Sequence, residues 1–460
     1  MADYLSTNLG YMLFNFCRYR FLPNVAMAYS DFWSFETSRM VIWGQLLFPV
    51  LMMGVYYLSG YYNSPFHKSR LQDFITTGGS ALIGTLVVFL TALTNDMGGS
   101  RLFNYEIILS LLACMFIPVY TIRWFITRHA TRCIHSRQWG FPTLIVGTSP
   151  AAVAFHQRLD SMKRSMGYDI VGHVAVGPMP KGHFPYHAVP IDNIEDECLR
   201  RGIRYLIVVP GGHSDERESL QIVNKLLPLD IPIYMSPDML HVVTSRVQTV
   251  NVAGEPLVEV SRAGVTGSTR NIKRLCDIIV SAVMLLLLSP VIGILAIAIK
   301  CDSPGPIFYR QQRVGYHRRM FNIIKLRSMK VDSECHGPRL SSADDPRVTR
   351  LGHMLRKYRL DELPQFWNVL VGDMSLVGPR PEREHFINLI MRQAPYYTLV
   401  HSVRPGITSW GMVKYGYASS VDQMVERLRY DLIYIENVSF PVDMKIILYT
   451  IRTVFTGKGV

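Results

Sequence analysis

The chain has 460 residues, which is too long for one ordinary domain, and it is 49% hydrophobic but only 18% charged. Its net charge of +13 fits nucleic acid or an anionic membrane face, and the long apolar runs favour the membrane because no nucleic-acid module accompanies them. The seven cysteines are scattered without a CxxC pair, which excludes a zinc ribbon or disulfide framework and fits a reducing compartment.

Residues 1–39 are ambiguous. The run 21–35 is partly apolar but carries Pro23, Asn24 and Asp31. The runs 40–62, 76–94 and 105–126 each approach the ~20 residues needed to cross hydrocarbon. Arg128, His129, Arg132 and Arg137 follow the last run, so that end is expected in the cytoplasm. Counting back puts Lys68 and Arg70 inside, the 95–103 loop outside, and the start of the 40–62 helix outside. Arg18 and Arg20 also favour the inside, so a crossing is expected between 21 and 39. The expectation is a four-helix transmembrane bundle over 1–140. Three spans with an outside N-terminus is the alternative. No basic, apolar and small-residue sequence of the secretory type opens the chain, so no signal peptide is expected.

Residues 141–250 alternate strand and helix patterns: FPTLIVGTSPAAVAFHQRL, YLIVVPGG at 205–212 and IPIYMSP at 231–237. Such alternation predicts a parallel, Rossmann-like α/β domain. Its first turn offers only Gly147, Thr148 and Ser149, where a dinucleotide fingerprint has three glycines. A scaffolding role and nucleotide binding at the helix N-terminus both stay open.

Residues 251–272 form a glycine-bearing linker. The apolar run 273–300 has Lys273 and Arg274 before it, Lys300 at its end, and Ser289-Pro290 in the middle. Proline removes a helix hydrogen bond, and a neighbouring serine can re-satisfy the freed carbonyl. With inside-type charge at both ends, the run reads either as a re-entrant helix or as a kinked spanning helix. A hairpin with Gly315 at its bend is expected over 307–325, followed by Lys325 and Arg327, which are candidates for substrate phosphate. Helical patterns at 383–400 and 421–456 read equally as interfacial helices or ordinary core.

The stretch LRKYRLDELPQFWNVLVGDMSLVGPRP at 355–381 contains Asp361 and Glu362 beside Arg356, Lys357, Arg359 and Arg380. Arginines hold phosphate oxygens bidentately, one carboxylate can attack phosphorus, and the other can hold a divalent metal. By spacing alone the pair reads more readily as ion-pair partners of Arg356 or Arg359. The surrounding motifs point the other way.

Those motifs are KLRSM (325–329), DPRVTRLG (345–352), the stretch just quoted, RPGITSWG (404–411) and Gly457-Lys458-Gly459. Over about 265–460 the chain resembles the large monotopic phosphoglycosyl transferases, the bacterial sugar transferases that include undecaprenyl-phosphate glucose and galactose phosphotransferases. The resemblance implies a mostly helical catalytic domain over 273–460 with a re-entrant helix broken at Ser289 and Pro290. It implies Asp361 as covalent nucleophile, Glu362 helping Asp361 to place Mg²⁺, and Lys325, Arg356 and Arg380 as phosphate ligands. It further implies transfer of a hexose-1-phosphate from a UDP-sugar to undecaprenyl phosphate, on the cytoplasmic face of a bacterial inner membrane, with no nucleic acid involved. A homodimer is compatible with it. Arg359 departs from the family pattern, where a small polar residue is usual, and YGYASSVDQM departs from a glycine-rich form, which leaves the sugar open. A non-catalytic scaffold for polysaccharide assembly and an inverting glycosyltransferase that releases UDP are the competing readings.

Overall fold

The computed structural model describes residues 1–62, 70–90, 101–177, 185–209, 216–236, 257–259, 265–330, 345–416 and 418–455. The loops around Lys68 and 95–100, the first part of the 251–272 linker and Gly457-Lys458-Gly459 lie outside the described residues. The chain divides into two units, one of residues 1–139 with 266–272, the other of residues 140–265 with 273–460.

In the first unit, α1 (Ala2–Phe21), α4 (Arg39–Leu58), α5 (Arg70–Val88) and α6 (Arg101–His135) pack together. Their shared core includes Phe14, Phe48, Met52, Tyr56, Leu111 and Met115. Residues 21–39, expected to supply the fourth crossing, instead form two short helices, α2 (Pro23–Ala28) and α3 (Phe32–Glu36). The helix that joins the three apolar ones is α1. Its hydrophobic pattern is interrupted by Asp3, Arg18 and Arg20, so hydropathy hides it, and Asp3 is accommodated by pairing. Arg123 on α6, 1% exposed, donates from Nε to Asp3 at 2.7 Å and from Nη1 to Thr77 on α5 at 3.0 Å. Its guanidinium also lies over the rings of Tyr56 and Tyr61. Of the described helices, three are long and apolar enough to cross a membrane: Arg39–Leu58, Glu106–His135 and Gly267–Asp302.

The second unit begins with a six-stranded sheet. Its strands are β1 (Phe141–Val146), β2 (Tyr168–Ala175), β3 (Ala188–Pro190), β4 (Tyr205–Val208), β5 (Ile233–Met235) and β6 (Val258–Glu259), in the order β3-β2-β1-β4-β5-β6. All neighbours are parallel except β5 and β6. Flanking it are α7 (Pro150–Ser161), α8 (Ile194–Arg201) and α9 (Glu216–Leu226). Leu144, Leu206 and Ile233 are wholly buried on one face and Ile145 and Ile207 on the other. This is the doubly covered parallel sheet that the alternating pattern predicts. At the turn after β1, Ser149 accepts from the Ala152 amide and Pro150 offers no N–H. His173, itself hydrogen-bonded to His156, contacts the Gly147 carbonyl at 2.9 Å. The Ala152 amide at the helix start is thus already satisfied by the Ser149 side chain.

After the sheet comes α10 (Gly267–Asp302), 36 residues without a break in helical assignment. Pro290 leaves the Leu286 carbonyl without its usual donor, and Ser289 Oγ supplies one at 2.9 Å. Within the second unit, residues 273–277 and 295–302 of this helix are held. Arg274 donates to the Val369 and Leu370 carbonyls, Lys273 pairs with Asp443, and Asp277 accepts from the Leu376 amide. At the other end Leu295 and Ile299 are buried against Leu326 and Leu355. Between these anchors Val283, Leu286, Leu287 and Ile294 are exposed, Leu286 to 76%.

The remainder is built from the hairpin β7 (Phe308–Val314) and β8 (Met320–Leu326), then α11 (Arg350–Lys357), α12 (Gln365–Val371), β9 (Ser375–Val377), α13 (Glu384–Gln393), β10 (Gly406–Thr408), α14 (Trp410–Lys414), α15 (Val421–Glu436) and α16 (Phe440–Phe455). The hairpin falls where the alternation places it. Phe386, Ile387 and Ile390 bury α13 in the main core with Leu428 and Tyr434, so that segment is core and not interfacial. By contrast α16 exposes Phe440, Met444, Leu448 and Ile451 along one stripe. The α/β part docks on the hairpin bend: Asp230 receives a hydrogen bond from Arg319 at 2.8 Å and contacts His317 at 2.6 Å, while α9 packs on residues 395–402.

Candidate active site

Four elements converge on the carboxylate pair, and each is fixed by a local device. Thr349 caps α11 by accepting from the Gly352 amide at 3.0 Å. A Cβ at Gly352 would lie 2.0 Å from the Ser328 carbonyl oxygen, so only glycine lets α11 close on the end of β8. Asn368 on α12 donates to the Asn322 carbonyl and accepts from the Ile324 amide, which pins α12 to β8. Gly378 and Gly406 touch backbone to backbone, and a Cβ on either would lie within 2.5 Å of the facing loop. That contact seats the Gly-Pro-Arg-Pro turn on RPGITSWG. From the other side Arg313 donates to the Pro381 carbonyl at 3.0 Å.

Asp361 and Glu362 lie on a 3-10 turn, Leu360–Glu362, between α11 and α12. At three residues per turn neighbours diverge by about 120°, so the two side chains point apart. Both are 7% exposed. Glu362 is covered by cations: Lys325 Nζ lies 2.8 Å and Arg380 Nη2 3.2 Å from Oε1, and Arg359 Nη1 lies 3.5 Å from Oε2. These hold its carboxyl far below the usual range despite burial. Asp361 differs. Among the described residues no hydrogen-bond donor contacts its side chain, and burial pushes its pKa up to about 6 against the pull of Lys325 and Arg356. Arg356 donates from Nε to Ser328 Oγ at 3.0 Å.

Of the candidates, Asp361, Glu362, Lys325, Arg356 and Arg380 therefore meet. Arg327 does not join them. It is 6% exposed, and its guanidinium donates to the Ile299, Ser303 and Pro304 carbonyls. It serves the C-terminal end of α10, whose unpaired carbonyls attract a cation. Arg327 lies just past the end of β8, so the strand alternation that places Lys325 does not carry over to it. Ser328 and Asn368 position the site without sequence signals that single them out. Arg359 was visible in the sequence both as an ion-pair candidate for the dyad by spacing and as a departure from the family pattern, and it does face Glu362.

Two carboxylates plus substrate phosphates are a usual magnesium donor set, and Asp361 and Glu362 are the residues that would supply the carboxylates. Glu362 fits that role only when phosphates are present to draw its three cations away. No group of three acidic, histidine or cysteine ligands exists among the described residues.

An α/β scaffold joined to a helical domain with membrane-length apolar helices, presenting a buried carboxylate pair ringed by cations, defines a membrane-associated phosphate-transfer enzyme. The family described as bacterial sugar transferase matches residues 268–457. The chain is 31% identical over 329 residues to the UDP-glucose:undecaprenyl-phosphate glucose-1-phosphate transferase of Escherichia coli K12, covering 70% of each chain. It is 32% identical to the Klebsiella pneumoniae protein of the same name, over 68% of this chain and 67% of that one. It is also 42% identical over 229 residues to the UDP-N-acetylgalactosamine-undecaprenyl-phosphate N-acetylgalactosaminephosphotransferase of Aeromonas hydrophila, covering 50% of this chain and 53% of that one. The chain belongs to the bacterial sugar transferase family of phosphoglycosyl transferases.

Proposed function

We propose that this protein transfers a hexose-1-phosphate from a UDP-sugar to undecaprenyl phosphate through a covalent intermediate on Asp361, and so begins synthesis of a bacterial polysaccharide. The observation that carries this is the contrast within the dyad: Glu362 is held by three cations, while Asp361 is buried and left open. An open carboxylate with a raised pKa is more basic and more nucleophilic than an ion-paired one. An Asp361 oxygen attacks the sugar-bearing phosphorus, the bond to the bridging oxygen breaks, and UMP leaves. The lipid phosphate then attacks the same phosphorus and frees Asp361. Lys325, Arg356 and Arg380 offset the phosphate charge throughout. Magnesium, held by Glu362 and Asp361 together with the donor phosphates, would supply further charge neutralisation.

The membrane arrangement belongs to the same proposal. Residues 273–277 and 295–302 of α10 are held within the second unit, while the stretch between them is apolar and exposed, which supports a helix that enters one leaflet and returns. The stripe on α16 supports seating at the same interface. The packed helices α1, α4, α5 and α6 would span the inner membrane with both ends cytoplasmic, and a homodimer is compatible with this arrangement. The sugar is glucose, galactose or, as in the Aeromonas relative's name, N-acetylgalactosamine.

The test is nucleotide release from a panel of UDP-sugars with and without undecaprenyl phosphate. UMP release, together with a trapped phosphosugar on Asp361, supports the proposal. UDP release assigns an inverting glycosyltransferase instead, and no release assigns a scaffold.

A further inference from the structure

Arg359 is the residue of the site whose backbone is least comfortable. Its φ is +54° and ψ +26°, the left-handed region in which a side chain is crowded and glycine is not. The path of the chain imposes this, because Arg359 must turn it from the end of α11 into the 3-10 turn that carries the dyad. Glycine would make the same turn without strain. The arginine is aimed inward: its side chain is 18% exposed and its guanidinium faces Glu362 at 3.5 Å. That distance is longer than the 2.7–2.9 Å of a charge-assisted hydrogen bond, so the contact is electrostatic and loosely held. Lys325 and Arg380 already occupy the other oxygen of Glu362. With Arg356, four cations surround two carboxylates, leaving an excess of two positive charges in a mostly buried place. Like charges confined there repel one another strongly. A ligand with two negative charges relieves this, and the diphosphate of a nucleotide sugar carries two.

We propose that Arg359 is a ligand of the donor's diphosphate, moving its planar guanidinium from Glu362 to the phosphate oxygens when the donor arrives. This rests on the reading of the site as a nucleotide-sugar site. The movement releases one oxygen of Glu362 while adding a bidentate cation to the diphosphate. The backbone strain persists because the guanidinium is needed at this position.

The experiment uses the full chain in lipid nanodiscs, with calorimetric binding of UDP and of UMP, alongside thermal unfolding, for wild type, Arg359→Gly and Arg359→Lys. Arg359→Gly should weaken UDP binding about tenfold or more and UMP binding much less. Its melting temperature should hold or rise as the strain is relieved. Arg359→Lys should recover part of the UDP affinity. Unchanged UDP affinity in Arg359→Gly overturns the proposal, as does a loss of affinity that comes with a lower melting temperature, since that marks a structural role. A wild type that neither binds UDP nor releases UMP from any UDP-sugar overturns the reading of the site itself, and a wild type that does both separates the two questions.

Discussion

Lys325 Nζ and Glu362 Oε1 lie 2.8 Å apart, joining the end of β8 to the turn that carries the dyad. The ammonium also acts on Asp361, lowering a pKa that burial raises. Lys325→Met should therefore leave Glu362 without its nearest cation and remove one phosphate ligand. The expected result is a fall in kcat/KM of roughly 100-fold or more, read as UMP release. Lys325→Arg should retain part of the activity, because the charge survives but not its compact placement.

The raised pKa of Asp361 makes a pH prediction. A carboxylate attacks only when ionised, and this one ionises at about 6. Formation of the phosphosugar intermediate should be constant above that pH and fall tenfold per unit below it. Because Asp361 and Glu362 interact, the midpoint belongs to the pair. Single-turnover UMP release without lipid acceptor isolates this step. A flat profile down to pH 4.5 would contradict the role given to Asp361.

Cys301 is exposed and follows Lys300 at the end of α10, so it reports the side on which the helix emerges. In a variant keeping only this cysteine, a membrane-impermeant thiol reagent should label it from the cytoplasmic face. Pro290→Leu restores the missing donor and should straighten the helix into a spanning form, moving the label to the opposite face and abolishing activity. Labelling that stays cytoplasmic in Pro290→Leu would reject this account of the proline.

Arg123 is buried among α1, α5 and α6 and paired with Asp3. Removing one partner of a buried pair leaves the other charge uncompensated, typically at about 3–5 kcal/mol. Arg123→Leu should lower the melting temperature of the detergent-solubilised protein markedly. Asp3→Asn combined with Arg123→Leu should recover part of the loss, a non-additivity that a double-mutant cycle measures.

Legible in the residues alone were the alternation that makes a parallel sheet, the period-two hairpin, the long apolar helix carrying Ser289-Pro290, and the carboxylate pair with Arg356 and Arg380. These rest on short-range periodicity or on residue types whose chemistry is intrinsic, so neighbours in sequence suffice to specify them. That α1 joins the apolar helices emerges only on packing, since Asp3 reads as a breaker until Arg123, 120 residues away, is brought against it. Packing likewise decides that Arg327 serves the carbonyls of α10 while Lys325 faces Glu362, and that Arg359 turns inward at a positive φ. Each of these is a question of which partner a charged side chain meets. Charge acts through space and burial rather than along the chain, so the answer exists only once distant segments are packed together.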